Sequence, residues 1–277
     1  MINLLYCGNK RVFDGLLISL LSIARKTDRQ LNVYVFTVDL RNLDPKFSPI
    51  TVEQTTFLEK MIKKYNSDSS ITLLDITGLF MSEMGNSKNI FGFYTPYTLL
   101  RLFCDKVPEL PDKLLYMDAD TVAMKDIGEL FDIDVEGYEF AASIDYIGKF
   151  FLGPRYLNAG VMLINIPESK KTGVFEKARV LCTVKKLYFP DQDALNRKAK
   201  KKKRIKSIYN SQRWLREKDV VRHFCRSLRL LPYPHLVNIK PWDEKGLHEV
   251  LHVHYIDDLL EEYKVLKKEF LMLYPEK

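Results

Sequence analysis

Cysteine is scarce in this chain of 277 residues. The four present, Cys7, Cys104, Cys182 and Cys225, are far apart and match no zinc or redox spacing. No basic segment precedes the first apolar stretch as in a signal peptide, so the cysteines are expected to be reduced and mostly buried in a cytoplasmic protein. Long hydrophobic runs are missing too. The stretch from Leu16 to Ala24 is broken by Ser19 and Ser22 and is too short to span a bilayer. There is no GxGxxG, no P-loop and no internal repeat.

What is present suits a folded protein. The chain is 46% hydrophobic and 29% charged, and its 15 Tyr and 16 Phe exclude disorder on a large scale. The length allows one large α/β domain or two small ones. Part of the formal charge of +7 comes from the run Lys198–Ala199–Lys200–Lys201–Lys202–Lys203–Arg204. Such a run suits nucleic acid, an anionic membrane or plain solvent. It carries no interleaved aromatics and no nucleic-acid module, so nucleic acid is not expected as a partner. Peripheral, salt-sensitive membrane contact through Lys200, Lys201, Lys202 and Lys203 is weighed against a solvated loop.

Along the chain, Ile2 to Cys7 reads as a strand feeding the turn Gly8–Asn9. Phe13 to Arg25 has apolar residues at helical spacing and basic residues at its end. Leu31 to Phe36 and Ile71 to Leu74 read as strands, with a helix from Val52 to Tyr65 between them. Leu114 to Met117 is another strand, and Ala159 to Ile166 is a buried one, antiparallel or edge-adjacent. The alternation predicts a mostly parallel sheet with helices on both faces, and ligands then bind beyond the carboxyl ends of its strands. Asp257 to Leu273 reads as an amphipathic helix, giving a domain over residues 1–255 and a helical tail over 256–277.

Asp118–Ala119–Asp120 lies at the end of a buried strand. Two carboxylates one residue apart repel each other and lose hydration there unless a divalent cation joins them, and that cation can also hold phosphate oxygens. The motif alone also occurs in ordinary turns. Its surroundings are more specific. The segment Asp112 to Val122, followed by Leu130–Phe131, resembles the metal-site segment of glycosyltransferase family 8, which includes glycogenin and the bacterial lipopolysaccharide galactosyltransferases. Tyr156 to Asn165, Asp191 to Asn196 and Lys240–Pro241–Trp242 resemble further blocks of the same family in the same order. Tyr97 to Leu102, with Arg101, is similar to the family's arginine-bearing helix.

The resemblance implies a GT-A fold with a Rossmann-like sheet, a UDP-sugar donor, Mn²⁺ or Mg²⁺, retention of anomeric configuration, and a glycan or lipid-linked acceptor in cell-surface polysaccharide synthesis. It implies that Asp118 and Asp120 hold the metal and that Arg101 lies by the sugar or diphosphate. Asn158 and Ala159 line the sugar pocket, Asp191 and Gln192 face the transferred sugar as catalytic candidates, and Lys240 grips the diphosphate. Asp118 and Ala119 also lie near the nucleotide. Asp191 could equally be a helix cap after Pro190. The family's metal histidine falls six residues before the lysine, where this chain has Pro234. His223, 17 residues before Lys240 (240 − 223) on the strand Val220 to Cys225, is favoured over His235. Cys7 and Asn9 close the first strand, where the family has a base-recognising Asp, and Phe13 is available to stack on the base.

Three readings compete. His252 and His254, alternating on a strand beside Asp257 and Asp258, have metal-like composition. A sugar-phosphate nucleotidyltransferase also uses paired aspartates, though it needs a glycine-rich basic loop that Gly8 to Arg11 lacks. A basic nucleic-acid-binding protein is the non-enzymatic alternative.

Overall fold

The computed structural model describes residues 1–229, 233 and 235–275. Its eleven strands are β1 (Ile2–Cys7), β2 (Leu31–Thr37), β3 (Ser70–Asp75), β4 (Lys113–Met117), β5 (Thr121–Ala123), β6 (Phe140–Ile144), β7 (Leu157–Asn165), β8 (Lys202–Ile205), β9 (Val221–His223), β10 (Ser227–Arg229) and β11 (His235–Val237). Seven form one sheet in the order β3-β2-β1-β4-β7-β6-β8. β1 pairs in parallel with β2 and β4, β2 with β3, and β6 with β8, while β7 runs antiparallel to both β4 and β6. The expected mostly parallel α/β sheet is therefore present. β7 lies inside the sheet rather than at its edge, and all its residues but Asn165 are buried.

This topology gathers the site. β1 and β4 are parallel neighbours, so Cys7 and Met117 end on the same edge. β7 enters from the opposite direction, with Val161 opposite Met117, and the next rung is the Asp118 N–H donating to the Gly160 carbonyl at 2.8 Å. The short pair β5 and β9 sets Thr121 opposite His223. The aspartates, the start of β7 and the end of β9 thus meet at one edge, as sheets of this type arrange their ligand crevices.

Helices cover both faces. In the helix Phe13–Ala24 every residue but Asp14 is buried, because the sheet covers one face and the C-terminal helix Asp257–Leu273 packs across another. That last helix buries Leu259, Leu260, Tyr263 and Leu266, one amphipathic stripe, and sets Phe270 against Phe13 and Phe57. The helix Val52–Lys63 starts where Thr51 and Gln54 form a reciprocal capping box. The arginine-bearing segment is a 3-10 helix, Pro96–Phe103, with Pro96 in its first turn.

Three expectations change. Lys202–Ile205 is the edge strand β8, so the basic run is not a free loop. The Lys201 ammonium donates to Glu168 at 2.8 Å, Lys202 to the Asn196 carbonyl at 3.1 Å, and Lys203 to the Asp134 carbonyl at 2.7 Å. Val220 and Phe224–Cys225 lie outside the short strand β9. His252 is no strand residue: it ends a π turn over Leu247–Leu251 with φ +54°, and Asp258 pairs with Arg25 instead. Pro234 lies outside the described residues.

Candidate active site

Asp118 is held from three directions. Its Oδ1 accepts from Arg101 Nη2 at 2.8 Å and from the Tyr116 hydroxyl at 2.5 Å, and its carbonyl accepts from Thr121 Oγ1 at 2.7 Å. Its other oxygen, Oδ2, lies 3.6 Å from His223 Nε2. Arg101 is 4% exposed and spans the site. It reaches Asp191 Oδ2 at 3.2 Å, donates to the Ala159 carbonyl at 2.7 Å, and rests over the Tyr116 ring. Burial opposes its charge, but the Asp118 and Asp191 carboxylates outweigh that and raise its pKa. Burial also raises the pKa of Asp191, as does Asp118, while Arg101 opposes them.

Asp120 contacts Lys240, whose ammonium donates to Oδ2 at 2.5 Å and to the Phe224 carbonyl at 3.2 Å. Burial pushes the Asp120 pKa up, but Lys240 and His223 together hold it well below the usual carboxylate range. Its Oδ1 is buried and has no hydrogen-bond partner among the described residues, 3.2 Å from His223 Nε2. An orphaned carboxylate oxygen beside an imidazole nitrogen fits a cation-binding site, since such an oxygen is costly without a partner.

The orientation of His223 follows from one backbone N–H. Gly160 N donates to Asn158 Oδ1 at 3.0 Å, so Asn158 turns its nitrogen to Asp145 Oδ2 at 2.8 Å. Asn210 must then present its nitrogen to Asn158 Oδ1, at 2.9 Å, and its oxygen to His223 Nδ1, at 3.0 Å. Nδ1 therefore carries a proton, which leaves Nε2, the nitrogen facing the two aspartates, as the one that can ligate a metal. The ligand atoms of Asp118, Asp120 and His223 lie within 4.8 Å of one another. His235, the other candidate, is on β11 with Nδ1 against the Tyr233 carbonyl at 2.8 Å.

Gln192 is committed at both ends. Its Oε1 accepts from Ala159 N at 2.8 Å, and its Nε2 donates to Asp145 Oδ2 at 3.1 Å. Both Asp191 and Gln192 sit in the first turn of the helix Pro190–Lys198. The Phe189 N–H donates to Asp193, while Asp191, which also accepts from backbone N–H groups of the first turn, faces Arg101. Asn158 and Ala159 are buried beside them.

The first strand's end is less open. Cys7 is half-buried, and burial pushes its thiol up against the opposing charge of Arg101. Asn9 is buried and caps the 3-10 turn Lys10–Val12 by accepting from Arg11 N. Phe13 is not available to stack on a base: its ring packs 4.3 Å from that of Phe270, centroid to centroid, and it is 7% exposed. Sequence reading missed Tyr116, Asp145 and Asn210 as site residues. Tyr116 lay inside the quoted Asp112 to Val122 segment, but nothing local marks Asp145 or Asn210.

Comparison with known proteins points to the same family. A model of glycosyl transferase family 8 matches residues 3–246. A lipopolysaccharide 1,2-glucosyltransferase of Escherichia coli is 30% identical over 197 residues, 66% of this chain and 54% of that protein. A lipopolysaccharide 1,3-galactosyltransferase of Salmonella typhimurium is 28% identical over 155 residues, 50% of this chain and 44% of that protein. The matched part of the chain thus spans about half the length of these two relatives. The crystal structure of the galactosyltransferase LgtC in complex with donor and acceptor sugar analogs aligns with TM-score 0.68 at 18% identity, covering 97% of this chain and 96% of that one. At that identity the likeness establishes the GT-A-like fold.

Proposed function

The chain belongs to glycosyl transferase family 8, and from that premise we propose that it is a retaining hexosyltransferase moving a sugar from a UDP-sugar to a glycan or lipid-linked acceptor. The observation that supports the reading is the buried Asp120 Oδ1, without a hydrogen-bond partner among the described residues and 3.2 Å from His223 Nε2. Asp118, Asp120 and His223 would hold Mn²⁺ or Mg²⁺, which when bound offsets negative charge on the departing diphosphate.

The chain's own groups do the rest. Lys240, now paired with Asp120, is placed to turn its ammonium to a diphosphate oxygen as charge develops there. Arg101 fixes Asp118 and Asp191 at once and holds the start of β7 through the Ala159 carbonyl. Asp145 binds both Asn158 and Gln192 and so fixes the wall against which a donor sugar would lie. Both ends of the Gln192 amide are occupied and Asp191 is tied to Arg101, which favours acceptor attack on the face that UDP leaves over a covalent intermediate.

The test is a screen of UDP-hexoses with Mn²⁺ and no acceptor. UDP and free sugar should be released. A nucleotidyltransferase would instead release pyrophosphate when given a nucleoside triphosphate and a sugar phosphate, and that outcome would replace this reading. Lys240→Met should lower kcat by about 10²–10³, as loss of one preorganised charge-stabilising donor does.

A further inference from the structure

Outside the candidate active site, a second group of side chains converges where the body of the protein meets its last helix. His248 Nε2 lies 2.8 Å from Asp257 Oδ1, and His254 Nδ1 lies 3.4 Å from Asp257 Oδ2. The two imidazole rings are 4.4 Å apart, and the ligand atoms of all three residues fall within 4.8 Å of one another. Sequence alternation pointed to His252 and His254 together. The π turn over Leu247–Leu251 brings His248 forward in place of His252, whose left-handed backbone ends that turn. The arrangement is braced by its backbone, with Val253 N donating to the Leu247 carbonyl at 2.9 Å and Asp257 N to the His254 carbonyl at 3.2 Å.

We propose that His248, His254 and Asp257 form a binding site for a zinc-class divalent ion, separate from the Asp118, Asp120 and His223 group. Donors about 2.1 Å from a tetrahedral ion stand roughly 3.4 Å apart. The His254 contact of 3.4 Å to Asp257 Oδ2 meets that spacing, and the His248 contact of 2.8 Å to Oδ1 opens by about 0.6 Å (3.4 − 2.8) to admit an ion. The side chains are 31%, 63% and 40% exposed, so solvent can reach the site and water can fill the fourth position. Two imidazoles and one carboxylate suit zinc, whereas two carboxylates and one imidazole at the first site suit the harder Mn²⁺ or Mg²⁺. Asp257 opens the helix Asp257–Leu273, and His248 follows the segment carrying Lys240 and Trp242. A bound ion therefore clips the C-terminal helix to the chain that leads out of the active site.

The experiment uses the full chain, stripped of metal and carrying Asp120→Asn to disable the first site, titrated with Zn²⁺ by calorimetry and with Co²⁺ by absorption. One equivalent should bind, with the visible bands of a four-coordinate Co²⁺ ion. His254→Gln or Asp257→Asn on that background should weaken binding by more than about tenfold, while His252→Gln on the same turn should not. His254 is exposed, so its loss does not threaten folding. At a hundredfold excess over Kd, Zn²⁺ should raise Tm by roughly 5–10 °C in the His252→Gln protein and not in the His254→Gln protein. Failure of the Asp120→Asn protein to bind Zn²⁺, or binding that neither His254→Gln nor Asp257→Asn weakens, would overturn the proposal. Neither result bears on sugar transfer.

Discussion

Gly160 has no room for a side chain. A Cβ there would lie 2.1 Å from His223 Cε1 and 2.7 Å from Asp118 Oδ2, so the glycine is what lets these two residues approach each other across β7. Gly160→Ala should fold, at a cost of about 1–3 kcal/mol for overpacking. It should lose on the order of 10²-fold in metal-dependent turnover because the imidazole is displaced by about an ångström. Turnover unchanged at all Mn²⁺ concentrations would show that His223 need not sit where it does. The rival histidines give a second contrast: His223→Ala should raise the Mn²⁺ concentration needed for half-maximal turnover by more than tenfold, about the least that even a supporting residue is worth, and His235→Ala should leave it nearly unchanged. At this scale the sequence was legible where residues cluster. Asp118–Ala119–Asp120 and Asn158–Ala159–Gly160 each present their chemistry in one stretch. The relay that orients His223 joins residues 145, 158, 210 and 223, which only the folded chain brings together, and no local pattern encodes it.

Arg179 shows how elements are locked behind the site. It is 1% exposed, in the helix Val174–Val184, and pairs with Glu83 at 2.6 Å and Asp105 at 2.5 Å while also donating to the Leu102 carbonyl. It thereby fixes the far end of the 3-10 helix whose buried face carries Arg101. Arg179→Ala should destabilise by about 1–3 kcal/mol in denaturant unfolding, since it strands the half-buried Glu83 and Asp105 carboxylates and the Leu102 carbonyl as well as removing contacts. A loss below 1 kcal/mol would mean those acids rehydrate freely. Most elements were legible from periodicity. The helix Val52–Lys63 and the strands β1 and β2 follow their apolar spacing closely, because their burial is one-sided or complete along the whole run. The basic run was not, because β8 is recruited by its neighbour β6 and by acceptors on Glu168 and Asp134, all remote in sequence, with Asn196 nearby adding a third.

Across the whole molecule, the C-terminal helix and the body share one core. Leu259, Leu260, Tyr263 and Leu266 are buried in the cluster that also holds Phe13 and Phe57, and each such side chain stabilises by about 1.5–3 kcal/mol. Ion pairs from Arg25 to Asp258 and from Lys267 to Asp14 flank the seam. Truncation before Asp257 should therefore lower Tm sharply and expose the helix Phe13–Ala24, seen as aggregation or dye binding; a truncated chain that melts like the whole one would show that the tail is dispensable. Among the described residues no helix is long and apolar enough to cross a membrane. If Asp118, Asp120 and His223 join a cation to the nucleotide diphosphate, UDP binding must depend on that cation, which calorimetric titration of UDP into metal-stripped protein, with and without Mn²⁺, measures for the wild type and Asp120→Asn. Expected is tight binding only for the wild type with Mn²⁺, and weak, metal-independent binding for the variant. Equal UDP affinity with and without Mn²⁺ in both proteins would contradict it.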